Sequence, residues 1–428
     1  MAEHRDYHER SILIHGRFRS EKWDFQDHIL PPVSTSAAFR LRSVERGAQG
    51  FQQFANPDLD RNTTKPIYIY ERLDEPCRGL LEETLAFAEK GEAAVAFASG
   101  MAAISAILGV HLKAGDHLVT SPKIYGCTYS LITHWLTRFG IRHSFCEFST
   151  REQILDAVAP ETRILYFETP SNPTLELVDL RMVVEVVREI NAVRPAEEAV
   201  KVVVDNTFAT PYCQRPLTMG VDFVVHSLTK NLGGFGADMG GVVVGPHASE
   251  TDLLVFRKDF GGSISPHPSW HILVYGIPTL ALRMERQQKT AKYVAEFLEL
   301  QPGIDQVIYP GLDSYPQRSL AMTQMLDIDG NFAPGSMIYF EMAGTPEVAY
   351  RKAIRTMNYL AVNSLSITLA VSLGQIRTLV EHPASMTHSA IPLDVQVKAG
   401  ISPGGIRLSI GLEDERDIAR DLDRALLA

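Results

Sequence analysis

The stretch VVHSLTKNLGGFG, Val224 to Gly236, joins an apolar, β-branched run to a lysine and then to a cluster of glycines. Short apolar runs alternate with amphipathic stretches on its N-terminal side, and most of these runs end in polar or proline-rich residues. This alternation is typical of a mainly parallel α/β sheet, in which functional side chains gather at the carboxyl ends of the strands. We therefore predict that Lys230 lies at the end of a buried strand, on the edge of the sheet that binds a ligand.

The overall composition excludes several classes of protein. The chain has 428 residues, of which 45% are hydrophobic and 21% charged, and its net charge is -10. An acidic chain is a poor partner for nucleic acid or for an anionic membrane, because both attract basic surfaces. The N-terminal MAEHRDYHER has no apolar core of a signal peptide, and the apolar stretch at 270–284 is shorter than the roughly 20 residues of a membrane helix. We expect a cytoplasmic protein with no nucleic-acid or membrane partner.

Cysteines and histidines offer no metal or disulfide pattern. The four cysteines are scattered without a CxxC pair, which favours a reducing compartment over a disulfide framework. His382 and His388 have no partner ligands at metal-site spacing, so we interpret them as surface residues or as residues behind a site. We predict no metal. The cysteines are Cys77, Cys127, Cys146 and Cys213.

The chain divides into three predicted parts. Residues 1–75 show little regular periodicity and are interpreted as an arm that packs on a second subunit. Residues 76–275 carry the alternating strands and helices, and residues 276–428 form a smaller α+β domain. The predicted strands lie in EAAVAFASG, DHLVTSP, RILYFETPSNP, VKVVVDNTFATP and DFVVHSLTK.

Each predicted strand end offers a different polar group, and the set is more informative than its members. Alone, Asp205 reads as a turn residue, and Gly100 as an ordinary helix start. Together they supply a glycine-rich phosphate nest, a carboxylate, an aromatic ring at Tyr125 and a lysine amine, which are the groups that pyridoxal 5'-phosphate requires. Asp205 precedes Lys230 by 25 residues. That spacing lets the two side chains come from neighbouring strands.

Other nucleotide and hydrolase motifs are missing. The chain has no GxxxxGK[ST], and a GxGxxG read from Gly234 fails because position 239 is Met. A GxSxG nucleophile elbow is also absent, so serine-hydrolase chemistry has no support. A phosphate- or nucleotide-binding protein without catalysis is the alternative from another functional class.

The motifs ASGMAAI, YFETPSNPT, VVVDNTFATP, HSLTK, HPASMTHS and IRLSIGLED resemble those of the Cys/Met-metabolism family of pyridoxal-phosphate enzymes. The resemblance implies an aspartate-aminotransferase-like fold (PLP fold type I), with Lys230 as Schiff-base lysine and proton shuttle, Asp205 at the ring nitrogen, and Tyr125 stacking on the ring and protonating the leaving group. It also implies a homo-oligomer, a tetramer built from two active dimers, and a sulfur amino acid as substrate. The other implied contacts are Gly100, Met101, Thr207, Ser227 and Thr229 for the cofactor, Tyr70 and Arg72 from the neighbouring subunit, and Asn172, Ser372 and Arg407 for the substrate α-carboxylate.

Smaller features resemble the methionine γ-lyases of this family. Cys127 directly follows Tyr-Gly, and Lys258-Asp259 matches a pair that this subgroup uses near the substrate. Cystathionine lyases and synthases typically place Glu where this chain has Val371, so a cationic distal group would lack its partner here. We predict γ-elimination of L-methionine, with γ-replacement (an O-acetylhomoserine sulfhydrylase or cystathionine γ-synthase) and cystathionine γ-lyase as alternatives.

Three segments depart from the family pattern. ERLDEPC places Asp74 and Glu75 next to Tyr70 and Arg72, the two implied cofactor contacts. NLGGFGADMGG lacks a histidine that the family often has in this segment, and it is one residue longer than the family's segment. The region 45–65 is also extended. Because these segments lie near the predicted substrate entrance, they bear on the choice of substrate more than on the cofactor.

Overall fold

The structure, a computed structural model, describes residues 7–16, 21–23, 25, 27–59, 61, 64–389 and 393–428. Its larger β-sheet has seven strands in the spatial order β1-β7-β6-β5-β4-β2-β3. Strands β2 to β6 pair in parallel, and β7 runs antiparallel to both of its neighbours. The strands are β1 Ala93–Phe97, β2 His117–Thr120, β3 Arg142–Phe145, β4 Thr162–Glu168, β5 Lys201–Asp205, β6 Phe223–Ser227 and β7 Gly241–Gly245.

The second sheet has five strands in the order β10-β11-β12-β9-β8. Only the β10–β11 pair is parallel, and the other pairs are antiparallel. This sheet belongs to the C-terminal part of the chain, where the sequence predicts a mixed α+β unit. Its strands are β8 Ile304–Ile308, β9 Met337–Met342, β10 Ile367–Leu369, β11 Thr378–Glu381 and β12 Gly405–Ser409.

Helices cover both sheets. Fifteen α-helices occur in the described residues, and π-helical turns at Leu131–Trp135 and Ile272–Gly276 follow α5 and α10. They are α1 Glu9–His15, α2 Val44–Gln53, α3 Pro76–Glu89, α4 Gly100–His111, α5 Gly126–Ser130, α6 Arg151–Ala157, α7 Leu180–Asn191, α8 Thr210–Cys213, α9 Glu250–Phe260, α10 Pro266–His271, α11 Leu280–Glu299, α12 Arg318–Gln324, α13 Pro346–Asn363, α14 Leu393–Lys398 and α15 Glu415–Leu427.

The central strands are apolar on both faces because helices pack on each side of the sheet. All five residues of β1 and of β7 are buried, and so are the three valines of β5. Continuous apolar runs of this kind are expected where a parallel sheet is covered twice. The polar residues that end these strands therefore project from a rigid base.

The predicted α/β class with a mainly parallel central sheet is confirmed, and the five predicted strands are β1, β2, β4, β5 and β6. Two further strands of the larger sheet were not predicted. Strand β3 reads RHSF, which is polar, and strand β7 reads GVVVG, a valine run between glycines. The proposed boundary at residue 276 falls at the end of a π-helical turn, just before α11. The three-part division remains a prediction.

The N-terminal arm contains more regular structure than its sequence suggests. Helix α2 begins after Ser43, whose hydroxyl accepts a hydrogen bond from the Arg46 amide at 3.1 Å. Gly47 and Gly50 face Leu41 and the side chains of 67 and 69 so closely that a Cβ would lie about 3 Å from them. These buried glycines hide the helical period in the sequence. Residues 1–6, 17–20, 24, 26, 60, 62 and 63 of the arm and its extended region lie outside the described residues.

No helix in the described parts of the chain is both long enough and apolar enough to cross a membrane.

Candidate active site

The carboxyl ends of β5 and β6 bring Asp205 and Lys230 to the same edge of the large sheet. The two strands are neighbours, with Asp205 paired to Val225, as the 25-residue spacing predicts. The Lys230 Nζ donates to the Ser372 Oγ at 2.8 Å. Since Ser372 lies between β10 and β11 of the second sheet, the site is formed where the two sheets meet.

Burial gives Lys230 an unusual proton affinity. Removal from water, assisted by the nearby positive charge of Arg407, lowers the pKa of Lys230 to about 8. Glu381 and Asp205 act in the opposite direction. A lysine in this state carries a substantial fraction of free amine near neutral pH, which a nucleophile or a base requires.

Asp205 is fixed by two hydrogen bonds that its carboxylate accepts. Its Oδ1 accepts from the Thr207 amide at 2.9 Å, and its Oδ2 lies 3.4 Å from the Tyr166 hydroxyl that donates to it. Burial raises the pKa of Asp205, while the Thr207 hydrogen bonds and His226 act against the rise. A protonated ring nitrogen placed against this carboxylate would supply the missing positive charge, so the residue fits the pyridine of the expected cofactor.

The start of helix α4 forms a cradle without side chains. Ser99 caps the helix by accepting from the Ala102 amide at 3.1 Å, and leaves the other first-turn amides available to an anion. A Cβ on Gly100 would lie 2.9 Å from the Ser227 Cβ, so only glycine allows this approach. The cradle therefore fits a phosphate. 

The remaining predicted cofactor contacts lie around this cradle. Ser227 donates its amide to the Thr207 hydroxyl at 2.9 Å, which fixes β5 against β6. The Gly240 amide donates to the Thr229 hydroxyl at 3.2 Å. Met101 is half-buried in the first turn of α4, where its sulfur accepts from the Thr128 hydroxyl at 3.8 Å. 

Tyr125 and Cys127 form the open side of the site. The Tyr125 amide donates to the Glu168 Oε1 at 2.6 Å, which fixes the turn to the end of β4. Gly126 packs against the Thr387 carbonyl, where a Cβ would lie only 2.5 Å from the oxygen. The Tyr125 hydroxyl interacts with the Cys127 thiol, and burial with this contact raises the pKa of Tyr125 to about 12. The phenol is therefore protonated at neutral pH and can donate a proton.

Arg407 on β12 is buried between both sheets and is almost fully partnered. Its Nη1 donates to the Asn172 Oδ1 at 2.8 Å and lies 2.9 Å from the Glu381 Oε1, and its Nη2 donates to the Ser372 carbonyl at 3.0 Å. Its Nε has no partner among the described residues. A buried guanidinium with a free donor fits a carboxylate ligand.

Four predicted residues form a separate, exposed group. Arg72 donates from Nη1 to the Lys258 carbonyl at 2.6 Å and lies 5.6 Å from the Tyr70 ring. Lys258 pairs with Asp259 at 3.3 Å. No hydrogen bond or ion pair of the described residues joins this group to Lys230 or Arg407. Within one chain the predicted site residues thus fall into two groups.

Sequence reasoning missed Glu168 and Glu381, and it left two alternatives for His382 and His388, a surface position or a place behind a site. A single Glu that closes an apolar strand, as these two do in β4 and β11, gives no functional signal by itself, and the pairing of Glu381 with Arg407 depends on the register of β11 and β12. His382 and His388 are not surface residues, because they are 1% and 0% exposed. His388 lies against Arg407, and burial with that charge lowers its pKa to about 4.

Glu75 also differs from the expectation for the ERLDEPC segment. Instead of adding a free acid next to Tyr70 and Arg72, Glu75 is buried. It caps α3 by accepting from the Cys77 amide at 2.8 Å and the Arg78 amide at 2.6 Å. Burial raises the pKa of Glu75 to about 7, although Arg78 and the two amides oppose the rise. In the part of the chain that the structure describes, no three His, Cys, Asp or Glu side chains gather as metal ligands would.

Comparison with known proteins agrees with this geometry. The family described as Cys/Met metabolism PLP-dependent enzyme matches residues 10–427. L-methionine gamma-lyase of Fusobacterium nucleatum subsp. polymorphum is 41% identical over 92% of both chains, and cystathionine gamma-lyase of Bacillus subtilis is 38% identical over 84% of this chain and 88% of its own. A solved cystathionine gamma synthase of Xanthomonas oryzae pv. oryzae, in complex with aminoacrylate and cysteine, superposes with a TM-score of 0.83 at 32% identity over 98% of both chains.

Proposed function

This chain belongs to the Cys/Met metabolism family of pyridoxal-phosphate-dependent enzymes, and we propose that it catalyses γ-elimination of L-methionine to 2-oxobutanoate, ammonia and methanethiol. It is a carbon–sulfur lyase with pyridoxal phosphate as its cofactor.

We assign proton transfer to Lys230 and Tyr125. The bound cofactor supplies an electron sink that acidifies the substrate Cα and Cβ hydrogens. Lys230, with a pKa of about 8, can accept a proton at one carbon and release it at another near neutral pH. Tyr125, with its raised pKa, keeps its proton until the substrate sulfur leaves and needs it.

We assign cofactor binding to the cradle and to the strand ends. The first-turn amides of α4 at Gly100 and Met101, with Ser227 and Thr229, would hold the phosphate. Asp205, oriented by Thr207, would hold the ring nitrogen. Support comes from the close approach of Gly100 to Ser227, which leaves no room for a Cβ, and from the Asp205 carboxylate, whose Oδ1 accepts from the Thr207 amide at 2.9 Å.

The substrate α-carboxylate is assigned to Arg407, Asn172 and Ser372. Among the described residues, the Arg407 Nε has no partner, and the two other nitrogens of the guanidinium are fixed by protein groups. A fixed donor loses little entropy on binding. The carboxylate would therefore orient the substrate against Lys230, whose amine already contacts Ser372.

We further propose that the complete site needs two chains. Tyr70, Arg72, Lys258 and Asp259 form one exposed group away from Lys230, and we assign them to the active site of the neighbouring subunit. This assignment requires a dimer, and we retain the tetramer of two such dimers as a proposal that rests on the family resemblance. The four cysteines are all free thiols, which supports the proposal of a reducing, cytoplasmic location.

The observation that carries the choice of methionine is the uncharged side chain next to Ser372. Val371 is 56% exposed and directly precedes the serine whose hydroxyl contacts Lys230. Methionine ends in an apolar methyl thioether, whereas cystathionine ends in a second amino-acid head group that needs charged partners. Cys127, in contact with the Tyr125 hydroxyl, adds a soft, polarizable group where sulfur would leave.

Val371→Glu tests this choice, with Val371→Gln as a control of equal size and no charge. We expect Val371→Glu to raise kcat/KM for cystathionine relative to methionine about tenfold, because a carboxylate would pair with the distal ammonium. Val371→Gln should leave the ratio within about twofold of the wild type. An unchanged ratio in the Glu variant would contradict the role of this position.

γ-Replacement remains the second candidate because a solved synthase shares the whole fold. The segment 231–241 also exposes Phe235 and Met239 near the lysine, where a second substrate could approach. Formation of homocysteine from O-acetylhomoserine and sulfide, with no product from methionine alone, would favour this candidate.

A further inference from the structure

The segment Tyr70–Asp74, which we name the strap, has its backbone fixed by side chains of three other elements. The Glu71 carbonyl accepts from Arg78 Nη2, the Arg72 carbonyl accepts from Ser263 Oγ at 2.8 Å, and the Leu73 carbonyl accepts from Arg257 Nη2 at 3.1 Å. Three successive carbonyls are thus held from outside the strap. A connecting segment usually leaves such carbonyls to water.

Two of these donors are fully buried arginines. Arg78 on α3 and Arg257 on α9 are both 0% exposed. Arg78 also donates to the Ile264 carbonyl at 3.0 Å, and Arg257 also donates to the Ala96 carbonyl at 2.8 Å. Each therefore connects the strap to the core of the same chain.

The charges of both arginines are neutralised by acids close to the strap. Arg78 Nη1 lies 3.1 Å from Glu71 Oε1, and Arg257 Nη1 pairs with Glu82 Oε1. Because an unpaired buried charge is strongly unfavourable, each guanidinium is confined to the geometry in which it meets both its acid and the strap.

The opposite edge of the strap is held by backbone hydrogen bonds. The Glu71 amide donates to the Ala37 carbonyl at 2.9 Å, and Tyr70 forms a bridge with Ala38. The functional side chains remain accessible: Tyr70 is 43% exposed, and Arg72 is exposed next to it. A backbone held on both edges therefore presents two exposed side chains to the outside.

We infer that Arg78, Arg257 and Ser263 are positioning residues, which fix the strap in the shape that delivers Tyr70 and Arg72 to the cofactor phosphate of the neighbouring subunit. This inference rests on the proposed function, in which the strap reaches the partner's site. Fixing the backbone before association reduces the entropy lost when Arg72 meets the phosphate.

The two acids of the segment ERLDEPC, Asp74 and Glu75, fix the junction between the strap and α3. Glu75 accepts from the Arg78 amide and begins α3 one residue after the strap, and the Asp74 Oδ1 accepts from the Glu75 amide at 2.8 Å. The two acids therefore lock the junction between strap and helix. This junction sets the direction from which Arg78 approaches the Glu71 carbonyl.

Phosphate-dependent cofactor binding tests the inference. Full-length Arg257→Lys and Ser263→Ala variants are freed of cofactor and titrated with pyridoxal 5'-phosphate and with pyridoxal, which lacks the phosphate. We expect the Kd for pyridoxal phosphate to rise about tenfold in either variant, and the Kd for pyridoxal to stay within about twofold, since a misplaced strap loses only the phosphate contact. Ser263→Ala removes a surface hydroxyl and keeps the test valid if Arg257→Lys unfolds.

Arg194→Lys is the matched control, because Arg194 also donates to two backbone carbonyls, those of Thr162 and Ala159, both at 2.8 Å, and lies far along the chain from the strap. It should change neither Kd. An equal loss of both ligands in the strap variants, or no loss of either, would overturn the inference.

Arg72→Met separates this inference from the proposed function. If Arg72→Met weakens pyridoxal phosphate while Arg257→Lys and Ser263→Ala do not, only the positioning role is wrong. If Arg72→Met itself binds pyridoxal phosphate normally, the assignment of the strap to the phosphate is wrong, and the inference falls with it.

Discussion

At the scale of single residues, Lys230 derives its chemistry from its surroundings. Burial and Arg407 lower its pKa, and the negative charge of Glu381 limits that effect. Glu381 also pairs with Arg407 at 2.9 Å, so one buried carboxylate acts on both cations. Sequence reasoning found Lys230 and Arg407 through their motifs, but Glu381 could be recognised only once the register of β11 and β12 was known.

The pH dependence of cofactor binding should report the pKa of Lys230. Only the free amine attacks the cofactor aldehyde, so the rate at which cofactor-free protein takes up pyridoxal phosphate should rise with pH and reach half-maximum near pH 8. Glu381→Gln removes a group that raises the pKa of Lys230, so its midpoint should fall below that of the wild type. Stopped-flow absorbance measures both rates, with the melting temperature as a control for folding. A wild-type midpoint near the ordinary lysine value of about 10.4 would refute this account.

Cys127 belongs to the same scale, because its thiol contacts the Tyr125 hydroxyl. Cys127→Gly should change substrate preference more than cofactor affinity: kcat/KM for methionine should fall relative to cystathionine, while the Kd for pyridoxal phosphate stays unchanged. Steady-state kinetics with both substrates give the ratio. If the ratio does not move, Cys127 has no part in substrate choice.

At the scale of elements, the start of helix α3 shows what Glu75, one of the departures from the family pattern, does in the fold. Glu75 acts as N-cap, which satisfies two amides at the helix start, and its burial raises its pKa from an ordinary 4.5 to about 7. The folded protein therefore binds a proton more tightly than the unfolded chain at this residue. Stability from this group is complete below pH 4.5 and is lost as the pH rises through 7.

Glu75→Asn should remove that pH dependence. Asparagine caps helices well but does not titrate. Between pH 4.5 and 7 the free energy of unfolding of the wild type should therefore fall by about 3 kcal/mol relative to that of the variant. Urea denaturation at a series of pH values measures the difference. Parallel stability curves for the two proteins would show that Glu75 does not titrate in this range.

Elements with a strong apolar period were predictable, and those whose partners lie elsewhere in the fold were not. β5 and β6 follow from VKVVVD and DFVVHS, whereas β7 is a short valine run among glycines that pairs with β1 and β6. Likewise, the sequence gives no sign that Arg78 and Arg257 are buried, because Arg78 donates to the Ile264 carbonyl and Arg257 pairs with Glu82, both far along the chain. Local patterns therefore predicted the strand ends, but not the contacts that support them; the cofactor site built on those strand ends remains a prediction.

At the scale of the whole molecule, the proposed assignment of the two groups of site residues requires two chains for one complete site. Lys230, Asp205 and Arg407 gather where the two sheets meet, and Tyr70 and Arg72 face outward from the strap. The family motifs predicted both groups, and the separation between them needs the fold.

Mixed dimers of Lys230→Ala and Arg72→Ala should regain activity that neither variant has alone. Random exchange places one intact site in half of the dimers, so the mixture should reach about a quarter of wild-type activity if the active unit is a two-fold dimer. Activity is measured after co-refolding, with Lys230→Ala mixed with itself as control. A mixture no more active than its separate components would mean that the strap serves its own chain.

The measurement that tests the central claim most directly is the release of 2-oxobutanoate and methanethiol from L-methionine by the purified protein loaded with pyridoxal phosphate. L-cystathionine, and O-acetyl-L-homoserine with and without sulfide, serve as the compared substrates. The account predicts equal amounts of both products from methionine and faster turnover of methionine than of the others. No product from methionine, with homocysteine formed from O-acetylhomoserine and sulfide, would contradict it and identify a γ-replacement enzyme.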